Sequence, residues 1–258
     1  MSDLLLMCVL AFLAGMMDAA VGGGGLLQIP SLFSLMPAHT PIATVMGTNK
    51  FASVCGTLTS GWQYVRKIPV PWKMLLPAAV LAAITSFGGS MLVSHIPVQW
   101  FKPFILLVLV VMAVYTFCKK DFGQSQRSSA LSKNEWYVGL ACGALIGFYD
   151  GVIGPGTGSF LTFMFIRLFA FDFLTAVASS KIINITTNLA ALSFFVPHGY
   201  IMWAWAIPLA AANLCGGFTG TRIALKGGTQ FLRYGFMVLL VILIGKFAWD
   251  LLPLLQAA

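Results

Sequence analysis

Two glycine-rich stretches interrupt long apolar runs, and each begins four residues after an aspartate. Asp18 precedes Gly22-Gly23-Gly24-Gly25, and Asp150 precedes Gly154-Pro155-Gly156-Thr157-Gly158. Glycine in the middle of an apolar run weakens the helix there, because it has no side chain to pack and loses the most backbone freedom on ordering. If such a run lies in lipid, the freed N–H and C=O groups need partners inside the protein or around a cavity. The pattern therefore predicts broken or re-entrant helices.

The breaks belong to a longer register. Gly15 and Asp18 recur as Gly147 and Asp150, 132 residues on, and Gly22 and Gly24 recur as Gly154 and Gly156. After one gap the offset is 131 and pairs Lys50 with Lys181, Trp72 with Trp203, Pro77 with Pro208 and Gly89 with Gly220. Internal repeats of this kind set the architecture of a chain. The expected organisation is a membrane repeat over 1–118, a polar cytoplasmic linker over 119–135 and a second membrane repeat over 136–258, together forming one transmembrane domain.

Composition supports a membrane class. Of 258 residues, 59% are hydrophobic and 9% charged, against about 25% charged in a soluble domain. Apolar runs cover about 4–21, 41–64, 73–94, 99–118, 136–153, 173–196, 203–224 and 231–253, and shorter pieces follow each glycine break. A spanning helix takes roughly 20 such residues. The expected fold is all-α: a polytopic integral membrane protein with about eight membrane helices. The first run has no basic residues before it, unlike a cleaved signal peptide, and reads as an uncleaved first segment.

The net charge of +8 does not indicate nucleic acid, which would need clustered cations. The basic residues sit mostly between apolar runs, where they mark cytoplasmic loops. In the first half, the loop 66–73 and the linker are basic. In the second half, the basic loop is 222–233, while the loop matching 66–73 holds only His198. That pattern suits repeats of inverted orientation, which requires each glycine break to act as a hairpin or re-entrant pair.

Four kinds of residue could carry chemistry. A broken helix presents free amides at the start of its second piece, and these together with the helix dipole favour an anion. Gly22–Gly25 and Gly154, Gly156, Thr157 and Gly158 are therefore candidate anion cradles. Close helix packing through small residues is the other explanation for the glycines. Lys50, beside Asn49, and Lys181, followed by Asn184, lie inside apolar runs, where a lysine is costly. Each offers a cation with nearby donors for an oxyanion, or else an ion pair with Asp18 or Asp150 or a snorkelling side chain. Those two aspartates are coupling candidates, since a carboxylate in apolar surroundings can carry a proton; bracing the break is their alternative role. Tyr149, Thr186, Thr187 and Asn188 could extend a polar path.

Nothing marks an enzyme, a metal site or a cofactor. The five cysteines are irregularly spaced, and the three histidines form no ligand pair. The expected partners are a small anionic substrate and the lipid bilayer, and the sequence is compatible with a homo-oligomer.

The segments AGMMDAAVGGGGLLQIPSL, GTNKFASVCG, GFYDGVIGPGTGSF and SSKIINITTN resemble the TauE/SafE family, the sulfite exporter or toluene sulfonate uptake permease family, and within it the bacterial inner-membrane branch. The resemblance runs along nearly the whole chain. It implies a secondary transporter of small sulfur oxyanions or organosulfonates, such as sulfite, sulfonates or sulfoacetate-like compounds, with a site at the repeat interface. The two half-sites are not identical: Asn184 follows Lys181 by three residues, where Ser53 follows Lys50. A structural or assembly subunit without transport, and an anion channel, are the competing expectations.

Overall fold

The computed structural model describes residues 2–227 except 38, 97 and 119–132, together with eight positions between 234 and 249. The core of the expected linker and most of the last apolar run lie outside the described residues.

Among the described residues every regular element is helical: α1 (Ser2–Val21), α2 (Gly24–Leu35), α3 (Ile42–Val65), α4 (Trp72–Val93), α5 (Val98–Cys118), α6 (Lys133–Val152), α7 (Thr157–Phe169), α8 (Phe173–Phe195) and α9 (Trp203–Leu225). The order long, short, long, long occurs twice, as α1–α4 and as α6–α9. The breaks fall at the glycines because the backbone there turns left-handed: φ is 77° at Gly22, 80° at Gly154 and 79° at Gly156. A side chain at those angles is strained.

Each short helix folds back along its predecessor. A Cβ on Gly24 would strike Asp18 and Ala14, and farther along Leu32 and Met36 pack with Met7 and Ala11. In the second half, Thr157 bonds to Asp150, and Phe169 lies beside Gly139. Both glycine-broken segments are therefore helical hairpins.

The counterpart helices α3 and α8 run antiparallel. Gly61 faces Ile185 and Lys181, whereas Gly47 faces Phe195. The most extensive packing crosses between the halves. Gly139, Gly143, Gly147 and Gly151 of α6 lie along Met74, Ala78, Ala82 and Ser86 of α4, and Gly216 and Gly220 of α9 lie against Phe12 and Met16 of α1. A Cβ on Gly143 would come 3.2 Å from the Ala78 carbonyl oxygen. Small residues every fourth position let helix backbones approach this closely.

Polarity is arranged inside out. Leu5, Ile84 and Leu145 are 70%, 63% and 72% exposed, while Lys50 and Lys181 are 1% and 0% exposed. In water this would waste apolar burial and desolvate charge, whereas in lipid the same arrangement is favourable. Among the described residues α1 and α4 are apolar and long enough to cross a bilayer on those criteria alone. Helices α3, α8 and α9 are longer, at 24, 23 and 23 residues, but carry the buried polar side chains.

The ends of the bundle differ in charge. Val70 of the α3–α4 loop, Trp136 near the start of α6 and Phe171 just after α7 pack on one cluster that includes Met74 of α4 and Phe169 at the end of α7. Gln63 donates to the Phe218 carbonyl, which brings the end of α9 beside the end of α3. Arg66, Lys67, Lys73, Arg167, Arg222 and Lys226 therefore share one end, all exposed. Met7, Met36, Val45 and Met202 mark the opposite end, where His39, His95 and His198 lie exposed.

Candidate functional site

The site lies where the two hairpin tips meet. Ser159 N–H donates to the Gly22 carbonyl at 3.0 Å, and Ser159 Oγ donates to the Val21 carbonyl at 2.7 Å. The tips approach this closely because glycine stands on both sides: a Cβ on Gly158 would fall 2.7 Å from Gly22 Cα.

Two ion pairs flank the tips, and each joins the two halves. Lys50 Nζ of α3 lies 2.6 Å from Asp150 Oδ2 of α6. Lys181 Nζ of α8 lies 2.7 Å from Asp18 Oδ2 of α1. Exchanging residues by the 131/132 register turns one pair into the other. A buried charge without a partner is costly, so each pair ties a hairpin to the long central helix of the opposite half.

The pairs differ in their surroundings. Asp150 uses both oxygens, since Thr157 Oγ1 donates to its Oδ1 at 2.7 Å and its side chain is 2% exposed. Asp18 binds Lys181 through Oδ2 alone, with Thr57 at the distance limit of 3.5 Å, and its side chain is 17% exposed. By the same register the position matching Thr157 is Gly25, which has no hydroxyl. Lys181 also donates to the backbone carbonyl of Asp18.

Between the pairs lies a polar cavity of about 30 Å³, room for about two water molecules. Its wall comprises Asp18, Gly22, Gly24 and Gly25 from the first hairpin and Asp150, Gly154, Gly156, Thr157 and Gly158 from the second. Asn49, Lys50, Ser53 and Thr57 come from α3, Asn184 and Asn188 from α8 and Asn213 from α9. Of the residues expected from the sequence, Gly23 and Lys181 do not line it; Lys181 stands behind Asp18. Thr157 braces Asp150 and also donates to the Gly154 carbonyl. Asn188 Nδ2 donates to Asn184 Oδ1 at 2.9 Å, and buried Asn49 leaves its Oδ1 without a hydrogen-bond partner. No group of histidine, cysteine or acidic side chains suited to a metal occurs among the described residues.

Sequence reasoning missed Ser53, Thr57 and Asn213. Asn213 was detectable as a lone amide inside an apolar run, and intramembrane polar residues are functional candidates. Its counterpart by register is Ala82, so the repeat gave no hint of it. Asn213 Nδ2 donates to Gln28 Oε1 at 2.7 Å, fixing it against the first hairpin.

The family model for the sulfite exporter TauE/SafE matches residues 7–247. The chain belongs to the TauE/SafE family. It is therefore a membrane transporter rather than an enzyme. Its relatives carry matching names. A probable membrane transporter protein, ORF9, of Sinorhizobium sp is 32% identical over 225 residues, 87% of this chain and 84% of its own length. One from Haemophilus influenzae is 30% identical over 246 residues, 95% of this chain and 94% of its own. The Escherichia coli probable membrane transporter protein YfcA is 27% identical over 240 residues, 93% and 87%. No solved structure matches the chain. In this TauE/SafE member the apolar exterior faces lipid and the buried ion pairs lie at its centre.

Proposed function

We propose that this TauE/SafE protein is a multi-pass inner-membrane secondary transporter of a small sulfur oxyanion or organosulfonate, carried through the cavity between the hairpin tips. The observation behind this reading is the cavity wall itself. It combines Lys50, four asparagine amides, two hydroxyl side chains of α3 and the glycine-rich tips of two hairpins. Amide and hydroxyl donors around a lysine suit an oxyanion. The antiparallel course of α3 and α8, with hairpins meeting inside, supports inverted repeats with a site at their interface, as in other secondary transporters. The basic end is then cytoplasmic, and the N-terminus lies on the other side.

The cavity size favours an occluded state. Two waters' worth of room is tight even for sulfite, so larger sulfonates require the hairpins to part. A thermal-unfolding panel in detergent tests the substrate class: sulfite, sulfoacetate and related sulfur oxyanions should raise the melting temperature, and simple carboxylates should do so less. No response to any sulfur oxyanion would count against the reading.

A further inference from the structure

We propose that Asp18, and not Asp150, is the proton-carrying carboxylate of this transporter, and that its protonation unmasks Lys181 for the anion. This rests on the anion-transport reading above and assigns its coupling ion.

With both pairs intact the two lysines and two aspartates cancel, so the cavity offers an incoming anion no net positive charge. A proton on one carboxylate changes that. Asp150 is poorly placed to accept one: although it lies in the cavity wall, Lys50 and Thr157 occupy its two oxygens at 2.6 and 2.7 Å, and its side chain is only 2% exposed. Asp18 has the opposite surroundings. Among the described residues no donor is bonded to its Oδ1, and the side chain opens on the cavity at 17% exposure.

Lys181 completes the device. It holds the backbone carbonyl of Asp18 as well as the carboxylate. When Asp18 takes a proton from the aqueous side and becomes a neutral carboxylic acid, the ammonium of Lys181 stays anchored by that carbonyl. Its charge is then uncompensated beside the cavity. A proton and a monoanion, such as hydrogen sulfite or a simple sulfonate, together restore neutrality, so the two travel as a pair.

The charged and titratable groups facing Asp18 are few. Lys181 comes from α8 and Tyr64 from α3, the tyrosine hydroxyl being committed to the Ala19 carbonyl at 2.9 Å. Lys50 and Asp150 face it across the cavity. From α2, α7 and α9 the wall holds glycines, Thr157 and Asn213, none of which titrates.

Infrared difference spectroscopy on the purified protein tests this without a substrate. Acidification should raise a protonated-carboxyl band that Asp18→Asn removes and Asp150→Asn leaves. Thr157→Ala, which strips Asp150 of a donor, should add a second band. A band that survives Asp18→Asn, or none that follows Asp18, would overturn the assignment, as would an unchanged spectrum in Thr157→Ala. In weakly buffered detergent, sulfite should drive proton uptake by the wild type and not by Asp18→Asn. An Asp18 band with no proton uptake or thermal response to sulfite would overturn the link to the anion and leave the carboxyl assignment standing, so the two failures are told apart.

Discussion

Lys50 and Asp150, a hundred residues apart in sequence, meet at 2.6 Å and join the first half's central helix to the second half's hairpin. Lys181 and Asp18 make the reciprocal joint at 2.7 Å. Each hairpin is therefore anchored to the opposite half, and neither can swing away without separating a buried pair.

Breaking one joint should be costly, and removing both partners much less so. Lys50→Ala leaves Asp150 buried and unpaired, and should lower stability by about 3–5 kcal/mol. The double variant Lys50→Met, Asp150→Leu should recover most of that loss, because neither charge is left buried. Thermal unfolding of the three proteins in one detergent measures the difference.

The hairpin tips should tolerate no added carbon. Gly158→Ala places a methyl against the Gly22 backbone, and overpacking of this kind costs about 1–3 kcal/mol. Gly88→Ala, where nothing lies within contact distance, should be neutral or slightly stabilising. The pair of melting temperatures separates tight packing from a general intolerance of alanine.

The orientation has a direct chemical test. In a background with the five cysteines replaced, His95→Cys should react in intact cells with a membrane-impermeant thiol reagent. Lys67→Cys should react only after the cells are opened. The reverse pattern would place the basic end outside.

Much of the fold was legible in the sequence. The apolar runs anticipate the helices α1 to α9 to within a few residues, and the glycine breaks fall where φ turns positive at Gly22 and Gly154. Glycine pairs alone do not break a helix, since Gly88-Gly89 and Gly216-Gly217 lie inside α4 and α9; the signal was the denser glycine run placed four residues after an aspartate in both halves. The charge pattern of the loops anticipated the shared basic end. Which lysine meets which aspartate was not legible. Lys50 had two candidate partners, and the choice of Asp150 depends on how the halves interlock. The unlike surroundings of Asp18 and Asp150 were hidden for a related reason: they arise from the Gly25 and Thr157 difference, whose effect on the carboxylates appears only once the hairpins fold back. Asn213 reaches the site from α9, far along the chain, because small residues let α9 press against α1.

The amide lining should set anion affinity. Asn188→Ala removes one potential hydrogen bond to a charged ligand, worth about 1.5–3 kcal/mol, so anion affinity should fall roughly ten- to a hundredfold. Isothermal titration with sulfite reads the change, and the free protein should lose about 1–3 kcal/mol of stability because Asn184 Oδ1 loses its donor.

The proposed anion path runs through the cavity between the hairpins, with Lys50 in its wall. Sulfite exchange in proteoliposomes tests it most directly, using the charge-free but stable Lys50→Met, Asp150→Leu protein beside the wild type. The wild type should show saturable exchange well above empty liposomes, and the double variant should fall to the liposome background. Equal exchange by the two proteins would rule out this path.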